Sequence, residues 1–367
     1  MSHQVYLDYN ATAPLRAEAR EAALDALDTI GNPSSVHGFG RRARAILETA
    51  REEVAALAGV APRLVTFTSG GTEANHLALN GTGRRRIAVS AVEHPSVLNA
   101  ASHATVVAVD AMGRVDPGEL DRVLAGGDGP ALISVMAANN ETGVVQPLAT
   151  IAEVARRHGA LLHVDAVQAA GKLPLGDIDA DLLTLSGHKI GGPAGAGALI
   201  RKNDIPLAAI VVGGGQEFGL RAGTENLAAI AGFGAAARAG AMDDVAAWHA
   251  RRDGLESRVL AATPEAVVVA QAAERLSNTT AVALPGVSAQ TLVMAFDLAG
   301  IAVSAGSACS SGKVGASHVL LAMGRKELAE RTLRVSHGWA TTDRDIDRFL
   351  EAWTTIARRL GSGRDAA

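Results

Sequence analysis

Four residues of this chain could act together if the fold gathers them: Lys189, Asp165, His94 and Cys309. Lys189 lies in LLTLSGHKIGGPAGAG (182–197), where an apolar run enters a loop with no acidic residue near the lysine. An amine in such a compact, charge-poor loop is desolvated, and its pKa falls. A lysine in that state attacks carbonyls and forms Schiff bases. Asp165 ends the apolar run ALLHVD, 24 residues before the lysine. Alone it reads as a helix N-cap, but a buried carboxylate there requires a positive partner. His94, in SAVEHPSVLN, follows another apolar run; only 3% of the chain is Phe, Trp or Tyr, so few other planar groups are available to stack on a ring. On its own, a histidine so placed is more often a hydrogen-bonded structural residue.

The segment TFTSGGTEANHLALNG (66–81) adds an anion site. Its Ser69-Gly70-Gly71 turn leads into a helix, where free amides and the helix dipole favour a phosphate. The same residues serve equally as a plain helix cap. No Gly-Lys-Ser/Thr follows, and GSACSSGKV (306–314) has one residue too many between its glycines, so neither is a Walker A loop. GPAGAG has the wrong glycine order for a dinucleotide fingerprint, with no helix after it. A phosphate cradle, a carboxylate for a ring nitrogen, a planar histidine and an imine-forming lysine together suggest pyridoxal phosphate, an aldehyde cofactor that acts as an electron sink.

The elements that must position these residues follow from the pattern. Strands are expected at 64–68, 86–90, 104–110, 131–136, 160–165 and 181–186, with helices such as Thr72–Asn80, Asp116–Ala125 and Leu148–His158 between them. This βαβ alternation predicts an α/β fold with a mostly parallel sheet, its ligands gathering at the carboxyl ends of the strands. A further strand is expected at 195–200. Beyond Asn226 a long helical region broken near Gly240 leads into strands at 266–270 and 278–284, a helix from Ser288, a strand to Ser336 and a last helix. This part reads as a smaller α+β domain, giving a large domain of 15–255 and a small one of 1–14 with 256–367. The helices Leu15–Asp28 and Gly40–Ala58 are expected to pack on the small domain or on a partner subunit.

Composition narrows the function classes. The chain has 367 residues, 48% apolar and 20% charged, with a net charge of −4. That is a folded globular composition and not a nucleic-acid surface. No run of about 18 apolar residues occurs, so no membrane span is expected. One cysteine excludes an intrachain disulfide and a cysteine-rich zinc site, no metal site is expected, and a reducing cytoplasm fits best.

The blocks YLDYNATAP, NPSSVHGFG, FTSGGTEAN, EHPSV, NNETGVVQPL, HVDAVQAAGKLPL, SGHKIGGPAG, RAGTEN, SAGSACSSG and LRVSHG run in order along the chain. In them the chain resembles, essentially from end to end, the cysteine desulfurases of the NifS/IscS type, in the class V aminotransferase group of fold-type I pyridoxal-phosphate enzymes. The resemblance implies that Lys189 carries the cofactor, Asp165 meets its ring nitrogen, Gln168 its phenolic oxygen, and His94 stacks on the ring and serves as an acid/base. It assigns the phosphate to Gly71, Thr72, Ser186 and His188, completed across a homodimer by Thr224. Asn140 and Arg334 would hold the carboxylate of L-cysteine, with Asn10 and His37 lining the pocket. Arginine suits that task because its fork binds carboxylates in a bidentate way.

Cys309 names the reaction. It lies in a Gly/Ser-rich stretch suited to movement, and a thiolate there could attack the sulfur of bound cysteine. Alanine would leave and a persulfide would remain on Cys309, for a protein acceptor in iron–sulfur assembly, cofactor biosynthesis or tRNA thiolation. Lys313 stands where the family often has acidic and proline residues. The tail that docks an iron–sulfur scaffold is expected to be curtailed. A selenocysteine lyase, a class V aminotransferase, and an idle paralogue acting as an interaction protein remain alternatives.

Overall fold

The computed structural model describes residues 4–202, 205–306 and 315–361. A seven-stranded sheet runs in the order Val65–Thr68, Gly197–Arg201, Leu182–Ser186, Leu161–Asp165, Ala131–Met136, Arg86–Ser90, Thr105–Val107. Gly197–Arg201 is antiparallel to both neighbours and every other pair is parallel. The strands Val65–Thr68, Ala131–Met136 and Leu182–Ser186 are buried along their whole length, which requires cover on both faces of the sheet. The reversed strand has a local consequence. An antiparallel neighbour needs no crossover helix, so the loop between Ser186 and Gly197 is short and its base is closed by the pairing of those two residues. Lys189 sits on that loop.

The helix Leu227–Gly240 covers one face, and both N-terminal helices, Ala17–Asp28 and Gly38–Ala58, pack on it. They join the large core through Ala19, Leu47, Ala50 and Val54, where the small domain or a partner subunit had been expected. The reason is steric. A Cβ at Gly234 would lie 2.6 Å from Ala50 Cα, so this Ala/Gly-rich helix gives up side chains to let the two N-terminal helices approach.

A second core surrounds an antiparallel sheet in the order Ser304–Ala305, Thr332–Ser336, Thr279–Ala283, Val267–Val268. Val5 and Leu7 pack in it with Leu255, Phe296, Phe349 and Trp353. Val5–Tyr6 pairs in parallel with Ile301–Ala302, and this carries the next residues, Leu7 to Thr12, toward the large sheet.

Two buried polar groups are structural. Arg51, 1% exposed, grips both carboxylate oxygens of Glu217 at 2.7 and 2.8 Å, and Glu217 also accepts the Phe67 amide at 2.8 Å. Glu217 and Phe218 hold left-handed backbone angles (φ 46° and 59°), a costly conformation for non-glycine residues that this pair helps to hold. His163, completely buried, bridges Ser134 Oγ (2.8 Å) and Thr184 Oγ1 (2.9 Å) across three neighbouring strands.

Arg51→Met leaves a buried carboxylate without its cation and should cost about 3–5 kcal/mol, read as a lower urea midpoint; an unchanged midpoint would remove this pair from the account of stability. Burial pushes the His163 imidazole down to about 4. An unfolded histidine titrates near 6.5, so between those values the unfolded chain binds more protons and stability falls as pH falls. His163→Gln should reduce that acid loss, by up to about 3 kcal/mol, in urea midpoints compared at pH 7 and pH 4. A variant with the wild-type pH slope would contradict the assignment.

Candidate active site

A cavity of about 220 Å³ opens at the carboxyl ends of the parallel strands. Lys189 lines it from the last position of the single turn Gly187–Lys189. Its Nζ donates to the carbonyl oxygens of Asn10 (2.6 Å) and Ala11 (2.8 Å). Both of these acceptors are neutral backbone carbonyls.

Asp165, at the end of Leu161–Asp165, accepts from Asn75 Nδ2 (2.8 Å) and from the Val167 amide (3.0 Å). Asn75 also donates to Ser96 Oγ (2.9 Å). Ser96 Oγ in turn meets His94 Nδ1 at 2.8 Å, and the Ser96 amide donates to the same nitrogen at 3.1 Å. A nitrogen that accepts an amide is unprotonated, so the neutral His94 ring carries its proton on Nε2. Burial is the largest cause pulling the His94 pKa down, Lys189 and His318 add to it, and Asp165 opposes. His94 also caps the helix Pro95–Leu98, which fixes its ring at the cavity wall.

The opposite wall is built for an anion. The helix Gly71–Gly81 begins at Gly70 without any side-chain cap, whereas Asp116, Asn226, Asp244 and Ser288 each cap their own helices. Gly71 and Thr72 line the cavity, so the uncapped amide end faces it. Ser186 and His188 lie on the same wall. Burial first and Lys189 second push His188 down to about 4, leaving a neutral ring beside Thr12, whose Oγ1 is 3.2 Å from Nδ1.

Asn10 and Gln168 close the remaining side. Gln168 Nε2 donates to Asn10 O (2.9 Å), and the Asn10 amide donates to Thr279 Oγ1 (2.9 Å) and Asn140 O (3.2 Å). Arg334, 2% exposed, lies just behind: its guanidinium donates to Asn140 O (3.1 Å) and Asp8 Oδ1 (2.7 Å), while its buried Nε has no partner among the described residues. Glu141 Oε2 accepts from Ser317 Oγ at 2.5 Å, and a Cβ on Gly306 would lie 2.7 Å from the same oxygen, so residues 306 and 317 both abut this carboxylate. Cys309, between them, lies outside the described residues.

The structure therefore brings Lys189, Asp165, His94, Gln168, Gly71, Thr72, Ser186, His188, Asn10 and Asn140 to one cavity, with Arg334 one contact away. It does not bring His37 or Thr224 there. His37 is an exposed cap whose Nδ1 accepts the Gly40 amide at 3.2 Å. Thr224 lines a separate concavity with Ser69, Gly195 and Arg221. Sequence reasoning missed Asn75 and Glu93. Asn75 stands one helical turn after Gly71, a spacing that would have placed it on the same face. Glu93 is fully buried behind His94; burial holds its carboxyl well above the usual range, and Oε1 accepts the Met136 amide at 2.8 Å. Nothing in the sequence marks it.

The model of the family described as aminotransferase class-V matches residues 5–349. A cysteine desulfurase of Cereibacter sphaeroides is 43% identical over 97% of this chain and 96% of its own. A NifS-like protein of Rickettsia africae has a TM-score of 0.88 at 36% identity, over 96% of this chain and 99% of that one. A structure titled SspA in complex with cysteine has a TM-score of 0.78 at 30% identity, over 91% and 99%. With the match running along this chain from its first strand into its last helix, and with a relative at 43% identity over nearly the whole of both chains, the chain belongs to the aminotransferase class-V family, in its cysteine desulfurase group.

Proposed function

We propose that the protein is a pyridoxal-phosphate-dependent cysteine desulfurase, which converts L-cysteine to L-alanine and carries the sulfur as a persulfide on Cys309. The observation that carries the reading is a lysine whose Nζ donates to two backbone carbonyls, sharing one cavity with Asp165 and an uncapped helix terminus. These donors suit the cofactor in kind: amides for a phosphate, a carboxylate for a pyridinium, an amine for an aldehyde. When bound, pyridoxal phosphate supplies an electron sink for the substrate α-carbon.

The chain's own residues then divide the work. The Gly71 and Thr72 amides, with Ser186 and His188, bind the phosphate. Asp165, held by Asn75, keeps the ring nitrogen protonated, and Gln168 Nε2 serves the phenolic oxygen. His94, at the cavity wall with a proton on Nε2, would stack on the ring. Lys189 would hold the cofactor's aldehyde carbon and would serve as the base that moves the substrate α-proton. Arg334, whose Nε has no partner among the described residues, would with Asn140 receive the substrate carboxylate, and Asn10 keeps these parts in register. Cys309 thiolate attacks the substrate sulfur: a sulfur–sulfur bond forms as the carbon–sulfur bond breaks, and that electron pair stays with the carbon skeleton that leaves as alanine.

The same reading makes the protein a homodimer in which Thr224 completes the partner's phosphate site. It divides the chain into a large domain (15–255) and a small one (1–14 and 256–367); two separate apolar cores support a two-domain division, with Leu255 already packed in the small-domain core. The persulfide passes to a protein acceptor, in iron–sulfur assembly or in a thio-cofactor or tRNA-thiolation pathway. Among the described residues no helix is long and apolar enough to cross a membrane, in keeping with a cytoplasmic enzyme.

The purified protein should be yellow with pyridoxal phosphate, and Cys309→Ala should keep the colour while losing at least about 100-fold of sulfide release from L-cysteine. Lys189→Ala should lose both turnover and the visible band. Wild-type turnover by Cys309→Ala would remove the persulfide step, and turnover of selenocysteine alone would make the protein a selenocysteine lyase.

A further inference from the structure

Lys172 follows Asp165 by seven residues in HVDAVQAAGK and has no role in the reading above. Its Nζ donates to the backbone carbonyl of Gln168 at 3.0 Å and reaches Gln168 Oε1 at 3.5 Å. The other end of the same amide, Nε2, donates to Asn10 O at 2.9 Å. Lys189 Nζ donates to that same carbonyl at 2.6 Å. The two lysines are thus joined by a short path: Lys172, the Gln168 amide, the Asn10 carbonyl, Lys189.

A primary amide can sit either way round, with oxygen and nitrogen exchanged. An ammonium only donates and a carbonyl only accepts. Lys172 therefore demands the Gln168 oxygen on its side, and Asn10 demands the nitrogen on the other. Both constraints select one orientation, in which the remaining N–H of Gln168 is available at the cavity edge. Gln168 is 5% exposed, so a reversed amide would find no water to correct it.

The charges around Lys172 are few. Lys189 and Asp243 are the two that act on its charge, with opposite sign. Asp243 is held by Arg16, which donates to it at 3.1 Å and to Ile190 O at 2.8 Å while lying 3.6 Å from the Trp339 ring centre; Glu18 is the other charge near Asp243. Burial is the main influence on the Lys172 amine and Lys189 the second; together they bring it to about 7, against the pull of Asp243.

We propose that Lys172 is a positioning residue for the reaction: its ammonium fixes the Gln168 amide with the N–H edge toward the cofactor's phenolic oxygen, and places a second cation close to Lys189. This rests on the pyridoxal-phosphate reading of the site. A freed Gln168 amide withdraws a donor from the phenolic oxygen, and a lost ammonium withdraws a positive charge. Both changes favour the proton at the lysine–cofactor linkage, so both move its titration the same way.

The test uses the full-length, pyridoxal-phosphate-loaded protein, with the visible absorption band titrated against pH. Lys172→Met should move the midpoint upward by roughly one pH unit and lower kcat about tenfold with KM for cysteine nearly unchanged. Lys172→Arg, which keeps a donor-only cation, should return both toward wild type. In a double-variant cycle, Lys172→Met should shift the midpoint less on a Gln168→Ala background than on the wild type, the charge part of its effect remaining. If Lys172→Met does not fold, Lys172→Gln is read in its place, with the same expected shifts. A folded, loaded Lys172→Met or Lys172→Gln with the wild-type midpoint and kcat overturns the inference, as does full additivity with Gln168→Ala. A wild type that takes up no pyridoxal phosphate overturns the proposed function itself, and the two failures are told apart by that colour alone.

Discussion

The carbonyl oxygen of Asn10 accepts from Lys189 Nζ and from Gln168 Nε2 at once, and most of the site depends on that double contact. The backbone at this point cannot move freely, because the Asn10 side chain is engaged as well. Its amide donates to Thr279 and Asn140, its oxygen accepts from Asn278, and its backbone N–H donates to Ser336 Oγ. A single residue near the N-terminus thus joins strands of the small sheet to the loop bearing Lys189 and the turn bearing Gln168. A carboxylate in place of this carbonyl would hold the amine as an ammonium; the weaker acceptor orients it at lower cost to its reactivity.

The parallel part of the fold was legible in the sequence because fully buried strands and amphipathic helices carry strong periodic signals. The strands at 86–90 and 131–136 fall where the pattern puts them, and 64–68 and 160–165 each lose only their first residue. Short elements were harder to read. The run 104–110 keeps regular pairing only over Thr105–Val107, since Thr105 and Val106 are exposed at the sheet edge and Val109 bridges to Val115 instead. The packing of the N-terminal helices on the large core was not legible, because an Ala-rich helix face does not name its partner. Gly234 was the clue, and its meaning is visible only with Ala50 beside it.

Within the site, residues adjacent to a structural transition could be found, and those acting through space could not. Lys189, Asp165, His94 and Gly71 each stand where a strand or turn ends. Asp8, which meets Arg334 at 2.7 Å, is separated from it by 326 residues, and no spacing rule connects them. The buried Glu93 carboxyl and the Lys172 amine were likewise invisible, because a charge in a sequence does not reveal whether water reaches it.

The joining of Asn10 to Ser336 and Thr279 also fixes an order of events during synthesis. The large sheet is complete once Gly197–Arg201 has left the ribosome, and a nascent chain of that length already holds Lys189, Asp165 and the Gly71 helix. It lacks the strands that seat Asn10. The carbonyl that aims the amine is placed only after Thr332–Ser336 has emerged and paired, by contacts that are among the most distant in the chain. The scaffold of the site is thus drawn from one contiguous stretch, while the carbonyl that meets its lysine is seated by strands from much further along the chain.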